Sequence, residues 1–310
     1  MSFAVLQDLS ETLAWTLLHF FWQGLLVGVF YAIGKQLSDS VQWRHTIAVA
    51  GLVLLLTVPI VTFCALSIAP AEIASTAAVA GQDIQTVADR YSTSVSDSSL
   101  WSQALVTVWL LGALFISVRL FSDWRLVRTA IREGTEPSQE LLALLERQVQ
   151  RMGLTRKVRL RLTARITTPG VYGVLRPVVL LPVALALSLP REQLEALLVH
   201  ELAHIRRADF IANLLAVFAR TLLYFHPVVH WVCRDLERTR ETLCDDLVIS
   251  LKIDPIKYAR ALSTAEEFRQ QVPAPLLTAT GGELSMRVYR ILALDQVKRR
   301  ENHRTPLLLA

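Results

Sequence analysis

Leu194-Glu195-Ala196-Leu197-Leu198-Val199-His200-Glu201-Leu202-Ala203-His204-Ile205 is an apolar helical run with two histidines and a glutamate set into it. At about 100° per residue, His200 and His204 fall on one helical face a turn apart, so two imidazoles can meet on one metal ion while Glu201 stands beside its open position. Glu241 follows 37 residues after His204, in a second helical pattern, Glu241-Thr242-Leu243-Cys244-Asp245. His200, His204 and Glu241 are therefore the expected zinc ligands, and Glu201 is the expected general base for a water held at the fourth position. Asp245, one turn past Glu241, is placed to accept a hydrogen bond from a ligand histidine and fix its tautomer.

Outward from this motif the chain reads as membrane-bound. Of its 310 residues 53% are hydrophobic, and its mean hydropathy is +0.40, above what a soluble domain usually carries. Thr12 to Gly34, Thr46 to Leu66 and Leu100 to Phe121 are each near the roughly 20 residues that span a bilayer core of about 30 Å. No Lys or Arg precedes the first of these, and its apolar run is too long for a signal peptide, so it reads as a retained helix. Lys35 and Arg44 in the first connection, against Glu72, Asp83, Asp89 and Asp97 in the second, place the first on the cytoplasmic side. Arg119, Arg125, Arg128 and Arg132 after the third span put the rest of the chain on that side as well. The N-terminus is thus expected outside the membrane and the metal motif on the cytoplasmic side. Juxtamembrane basic residues beside anionic lipid account for much of the net charge of +5, and no nucleic-acid-binding motif accompanies it. Cys64, Cys233 and Cys244 show no paired spacing, which argues against a disulfide framework; Cys244 reads as a small buried packing residue, with a thiolate ligand for zinc as the alternative.

The expected organisation is a membrane domain, residues 1–121, with a mobile extracytoplasmic loop at 67–99, a cytoplasmic domain at 122–285 and a basic C-terminal tail at 286–310. Within the second domain, Leu141, Leu142, Leu144, Leu145, Val149 and Met152 recur at helical spacing. Val158 to Leu162 and Gly170 to Leu181 predict a small sheet, and Pro190-Arg191-Glu192 starts the motif helix. Phe210 to Cys233 is apolar enough to suggest a fourth span. A single crossing would put His204 and Glu241 on opposite sides of the bilayer, where bonds of about 2 Å to one ion are impossible. The segment is therefore expected to be buried or to lean on the lipid surface, with Pro227 turning the chain back. Lys298, Arg299, Arg300 and Arg304 read as the cytoplasmic flank of a further span, the expectation being either that the gene product ends here or that a longer relative continues into a fourth helix.

Asp209 is the rival third ligand. Five residues past His204 it lies about 140° around an ideal helix, which favours a cap, a pair with Arg206 or a solvated position. Tyr224, His226 and His230 are candidates for substrate or oxyanion contacts, with packing as the plainer role. His19 and Gln23, a turn apart in the first span, are expected to face other helices and hydrogen-bond there.

Several segments together resemble the BlaR/MecR-type antirepressor family of membrane-embedded zinc metallopeptidases. They are Leu18-His19-Phe20-Phe21-Trp22-Gln23-Gly24, Trp109-Leu110-Leu111-Gly112, Pro169-Gly170-Val171-Tyr172-Gly173 with Arg176-Pro177, His200 to His204, Phe225-His226-Pro227, and Glu241 to Asp245. The resemblance implies a mainly α integral membrane protein, with three transmembrane helices and a cytoplasmic α+β gluzincin-like domain. It also implies that His200, His204 and Glu241 bind zinc, that Glu201 is catalytic, and that the substrate is a DNA-binding repressor or the protein itself. The family's β-lactam receptors add a penicillin-binding domain with a Ser-x-x-Lys nucleophile, a pattern this sequence lacks. Two other readings have different signatures. A signalling scaffold with a structural zinc has no need of Glu201 beside a ligand, and a prenyl-protein or quality-control membrane protease would place membrane helices between the histidines and the distal glutamate.

Overall fold

A computed structural model describes residues 3–79, 84–271 and 284–294. The chain divides into two compact units, Met1–Leu120 with Leu214–Leu236, and Phe121–Asn213 with Glu237–Ala310.

The first unit is helical. Its long elements are α1 (Phe3–Gln36), α2 (Val41–Val79) and the start of α3 (Ile84–Glu133), and all three expected spans lie inside them. Leu6–Gln36, Val41–Ile68 and Leu100–Glu133 are long and apolar enough to cross a membrane. The expected loop at 67–99 is instead helical where it is described, because α2 continues to Val79 and α3 begins at Ile84. Five alanines between residues 67 and 79 favour the helix already nucleated by the second span, whereas residues 84–99 hold Ala88 as their one alanine and are helical as the start of the element that carries the third span.

Polar groups on these helices find partners within the unit. Gln23 and Thr62 exchange hydrogen bonds at 3.0 and 3.1 Å between α1 and α2, as expected for Gln23. His19 takes a bond of 3.3 Å from Trp22 on its own helix instead. Gly24 lets the His226 ring approach so closely that a Cβ there would lie 2.6 Å from its Nε2.

Residues 214–236, read from sequence as part of the second domain, cluster with the three long helices. The apolar stretch is a helical hairpin: α7 (Phe210–Leu222), a turn, and α8 (Pro227–Ser250). As expected α7 is too short to cross, about 20 Å at 1.5 Å per residue. Pro227 opens α8, where its missing N–H costs nothing. Lys35 Nζ lies 2.5 Å from Asp235 Oδ2, and the Tyr31 hydroxyl donates to the same oxygen at 3.1 Å. These bonds tie the end of α1 to α8.

The second unit is α+β, as expected. It holds the C-terminal part of α3, α4 (Gln139–Arg151), β1 (Arg159–Thr163), β2 (Gly170–Tyr172), β3 (Val178–Pro182), α5 (Val183–Ser188), α6 (Arg191–Arg207), the later part of α8, and α9 (Pro255–Gln271). The small sheet has the order β1-β3-β2, with β1 parallel and β2 antiparallel to β3. All five residues of β3 are buried, since it is central and covered on both faces. Val178 and Leu180 pack with Ala130 of α3, while Val179 and Leu181 face the main core with Leu198 and Leu202 of α6. That core surrounds α6 on most sides, which explains why its apolar pattern is nearly continuous.

Residues 284–294, assigned largely to a tail from their charge, form a further helix whose Ile291 is 1% exposed in the same core. Lys298, Arg299, Arg300 and Arg304 lie outside the described residues.

Candidate metal centre

α6 presents His200 and His204 from successive turns, with ring centroids 4.9 Å apart. The C-terminal half of α8 brings Glu241 to them. His200 Nε2 is 3.4 Å from Glu241 Oε2, and His204 Nε2 is 3.8 Å from Glu241 Oε1. One ligand atom from each residue lies within 4.8 Å of the others, so the three groups expected to bind a metal do converge. Two imidazole nitrogens and a carboxylate oxygen are the donor chemistry of a catalytic zinc site with one position left open.

Each histidine is oriented through its other nitrogen. His200 Nδ1 lies 2.8 Å from the Tyr258 hydroxyl, which in turn donates to Asp245 Oδ1 at 2.5 Å. The chain of bonds runs His200 Nδ1–H to Tyr258 and Tyr258 O–H to Asp245, which turns the Nε2 lone pair toward the Glu241 side. Asp245 thus reaches His200 mainly through Tyr258; its own approach to Nδ1 is 3.5 Å. Tyr258 on α9 had no signal in the sequence beyond the Asp254-Pro255 helix start, where Asp254 Oδ1 caps the Ile256 amide at 2.8 Å.

Asp209 departs from two of its three expected placements. It is neither solvated nor a partner of Arg206, while its place directly before α7, with its carbonyl accepting from the Asn213 N–H at 3.0 Å, is the expected cap position. It is 5% exposed, accepts from His204 Nδ1 at 2.9 Å, and lies 3.3 Å from Arg207 Nε. The 140° separation assumed a helix that continues, whereas α6 ends at Arg207 and Ala208 takes the left-handed conformation with φ 55°. That turn swings Asp209 back beneath His204. Cys244 is fully buried against the same pair, with its sulfur 3.3 Å from His204 Nδ1 and 3.5 Å from Asp209. Burial and the Asp209 charge push its thiol far up, in keeping with a packing role. His204, Asp209 and Cys244 form a second converging group, but it uses the nitrogen already bonded to Asp209.

Arg287, on the 284–294 helix, also escaped the sequence. It grips Asp245 with two bonds, Nε to Oδ2 at 2.9 Å and Nη2 to Oδ1 at 2.7 Å, and its Nη1 lies 3.2 Å from Glu241 Oε2. Burial opposes ionisation of Glu241, but His200, His204 and the Arg287 guanidinium beside it hold it well below the usual carboxylate range. Burial likewise lowers the pKa of His204, yet Asp209, Glu241 and Glu201 outweigh it and leave the value raised.

Glu201 is 6% exposed on the same helix. β2 packs on α6, and burial together with the charge of Glu201 raises the pKa of Tyr172, so its phenol is a neutral donor beside the proposed base. Tyr224, His226 and His230 have other partners. In the first unit the Tyr224 hydroxyl meets Val108 O at 3.4 Å, His226 Nε2 meets Phe21 O at 3.1 Å, and His230 Nε2 meets Tyr224 O at 2.7 Å. Their observed contacts are those of packing residues.

A family model described as BlaR1 peptidase M56 matches residues 22–291. The Regulatory protein BlaR1 of Bacillus licheniformis is 26% identical over 201 residues, covering 63% of this chain and 33% of that protein. Methicillin resistance mecR1 proteins of Staphylococcus aureus and Staphylococcus epidermidis are 20% identical over 202 residues, 62% of this chain and 34% of theirs. The chain thus spans about a third of the length of the relatives it matches.

Proposed function

Because the chain belongs to the BlaR1 peptidase M56 family, we propose that it is a membrane-embedded zinc endopeptidase that cleaves a cytoplasmic protein, a transcriptional repressor or the chain itself, in signal transduction. The observation that carries this reading is the convergence of His200, His204 and Glu241, with both histidines turned by bonds to their far nitrogens. His200, His204 and Glu241 would hold the zinc. When bound there, zinc would supply a Lewis acid for a peptide carbonyl and depress the pKa of water toward roughly 7.

The protein's own groups divide the remaining work. Glu201 takes the proton of the attacking water and passes it to the departing amine. Asp245, Tyr258 and Asp209 keep the imidazoles in one tautomer. Tyr172 offers a hydrogen bond to the developing oxyanion from the end of β2, and β2 is an edge strand to which a substrate backbone can pair. The substrate is proposed as a regulator because the relatives are named for regulation and resistance. A site on the cytoplasmic side is supported by the arginines after the third span.

The test compares wild type with Glu201→Ala in membranes, measuring bound zinc and cytoplasmic peptide products by mass spectrometry. Products lost with zinc retained would support the endopeptidase. An unchanged product set with zinc still bound would leave a structural metal in a signalling scaffold, and the proposal would fail.

A further inference from the structure

The Arg287 contacts reach further than an ordinary ion pair. One guanidinium makes both of its parallel bonds to a carboxylate that is 2% exposed, Asp245, and turns its remaining nitrogen to Glu241. Asp245 in turn holds the Tyr258 hydroxyl that orients His200. Two of the three proposed ligands are therefore held, one directly and one through two intermediates, by a residue of the 284–294 helix. The same helix is fixed at two other points: Arg290 forks onto Asp246 at 2.6 and 3.0 Å, and Ile291 is buried in the core.

We infer that the 284–294 helix is a working part of the metal centre, with Arg287 as a positioning residue for Glu241 and His200, so that docking of this helix and metal occupancy strengthen each other. The inference rests on the reading that His200, His204 and Glu241 hold zinc.

The sign of the coupling comes from charge and geometry. A lone cation 3.2 Å from a ligand carboxylate would compete with the metal for it. Arg287 is not alone, since its bidentate bond to Asp245 makes a neutral pair, and the metal feels the orientation of Glu241 more than an added positive charge. Glu241 Oε2 has two lone pairs, one for Arg287 and one for the side facing His200 Nε2 at 3.4 Å. Outer partners of this kind typically contribute about 10- to 100-fold to metal affinity. Linkage requires the reverse as well: whatever metal binding gains from the docked helix, the docked helix gains from metal.

The experiment uses the full chain in detergent micelles. Zinc affinity is measured by competition with a chromophoric chelator, and site geometry by the visible absorption of the cobalt(II) form, for wild type, Arg287→Gln and Arg287→Lys. Circular dichroism checks that each variant is folded. Arg287→Gln should bind zinc about 10- to 100-fold more weakly with an altered cobalt spectrum. Arg287→Lys keeps the charge but not the fork and should fall between the two, which decides the matter if the glutamine variant does not fold. Hydrogen exchange of wild type should show amides of residues 284–294 slowed by zinc. Variants that match wild type in affinity and spectrum, or zinc that leaves this exchange unchanged, would overturn the inference and leave the proposed peptidase standing. A wild type that binds neither metal would sink both.

Discussion

Tyr258→Phe removes one oxygen from a fully buried side chain and isolates what that oxygen does for the metal centre. In the native arrangement the hydroxyl accepts from His200 Nδ1 at 2.8 Å and donates to Asp245 at 2.5 Å. After the substitution Asp245 keeps its two bonds from Arg287, so the carboxylate stays satisfied. His200 does not. Its Nδ1–H is left in a residue 5% exposed, with Asp245 at 3.5 Å as its alternative acceptor. A buried donor without a partner costs about 1–3 kcal/mol, and at about 1.4 kcal/mol per decade that corresponds to roughly 5- to 150-fold in an equilibrium constant. The ring can relieve the cost by rotating toward Asp245 or by taking the other tautomer, and both movements draw Nε2 away from the geometry that faces Glu241. The loss should therefore appear in zinc affinity, about 10- to 100-fold by chelator competition, while circular dichroism and the buried packing of the phenyl ring stay as they were. If Tyr258→Phe binds zinc within about threefold of wild type, the relay through Tyr258 does not orient His200.

Other perturbations have equally definite expected outcomes. Burial lowers the pKa of His204, but Asp209, Glu241 and Glu201 outweigh it and leave it raised, so protons compete with a metal for this side chain; zinc content should fall as pH is lowered, and retention independent of pH would contradict this. In the metal-free chain the sign is opposite: the raised pKa stabilises the fold below the ordinary histidine value of about 6.5 and is lost as pH rises through the folded value, a slope that Asp209→Asn should flatten in denaturant titrations. Leu198→Ala, at a fully buried position between the sheet and α6, should cost about 2–5 kcal/mol in chemical denaturation, and a loss below about 1 kcal/mol would mean that the core does not depend on it. Ala208→Gly should raise the melting temperature, since the left-handed backbone at φ 55° costs a residue with a Cβ about 1–2 kcal/mol, partly offset by glycine's freedom in the unfolded chain; a lower melting temperature would refute the strain.

The membrane helices and the histidine pair were legible in the sequence because both are local properties. The length of an apolar run meets the thickness of a bilayer whatever the chain does elsewhere, and a spacing of four residues on a helix brings His200 and His204 together before any tertiary contact forms. Glu241 was within reach of the same reasoning once the hairpin at Phe210 to Cys233 was denied a crossing. The small sheet, too, could be read from alternation and a short apolar run. The composition of residues 67–99 misled, because few large side chains imply little packing but do not forbid a helix.

The partners of His200, His204 and Glu241 were decided by the tertiary structure alone. Asp209 comes under His204 because one residue, Ala208, reverses the helical turn, and alanine gives no warning of a left-handed conformation. Tyr258 and Arg287 arrive from elements 58 and 87 residues beyond His200, counting by residue number, and neither carries a periodic or spacing signal that points to the site. Periodicity along one helix fixes which side chains share a face, but a hydrogen bond from another element depends on how separate helices pack around a common core. The sequence thus determined which atoms can meet a metal, and the packing of α6, α8, α9 and the 284–294 helix decided which groups hold those atoms in place.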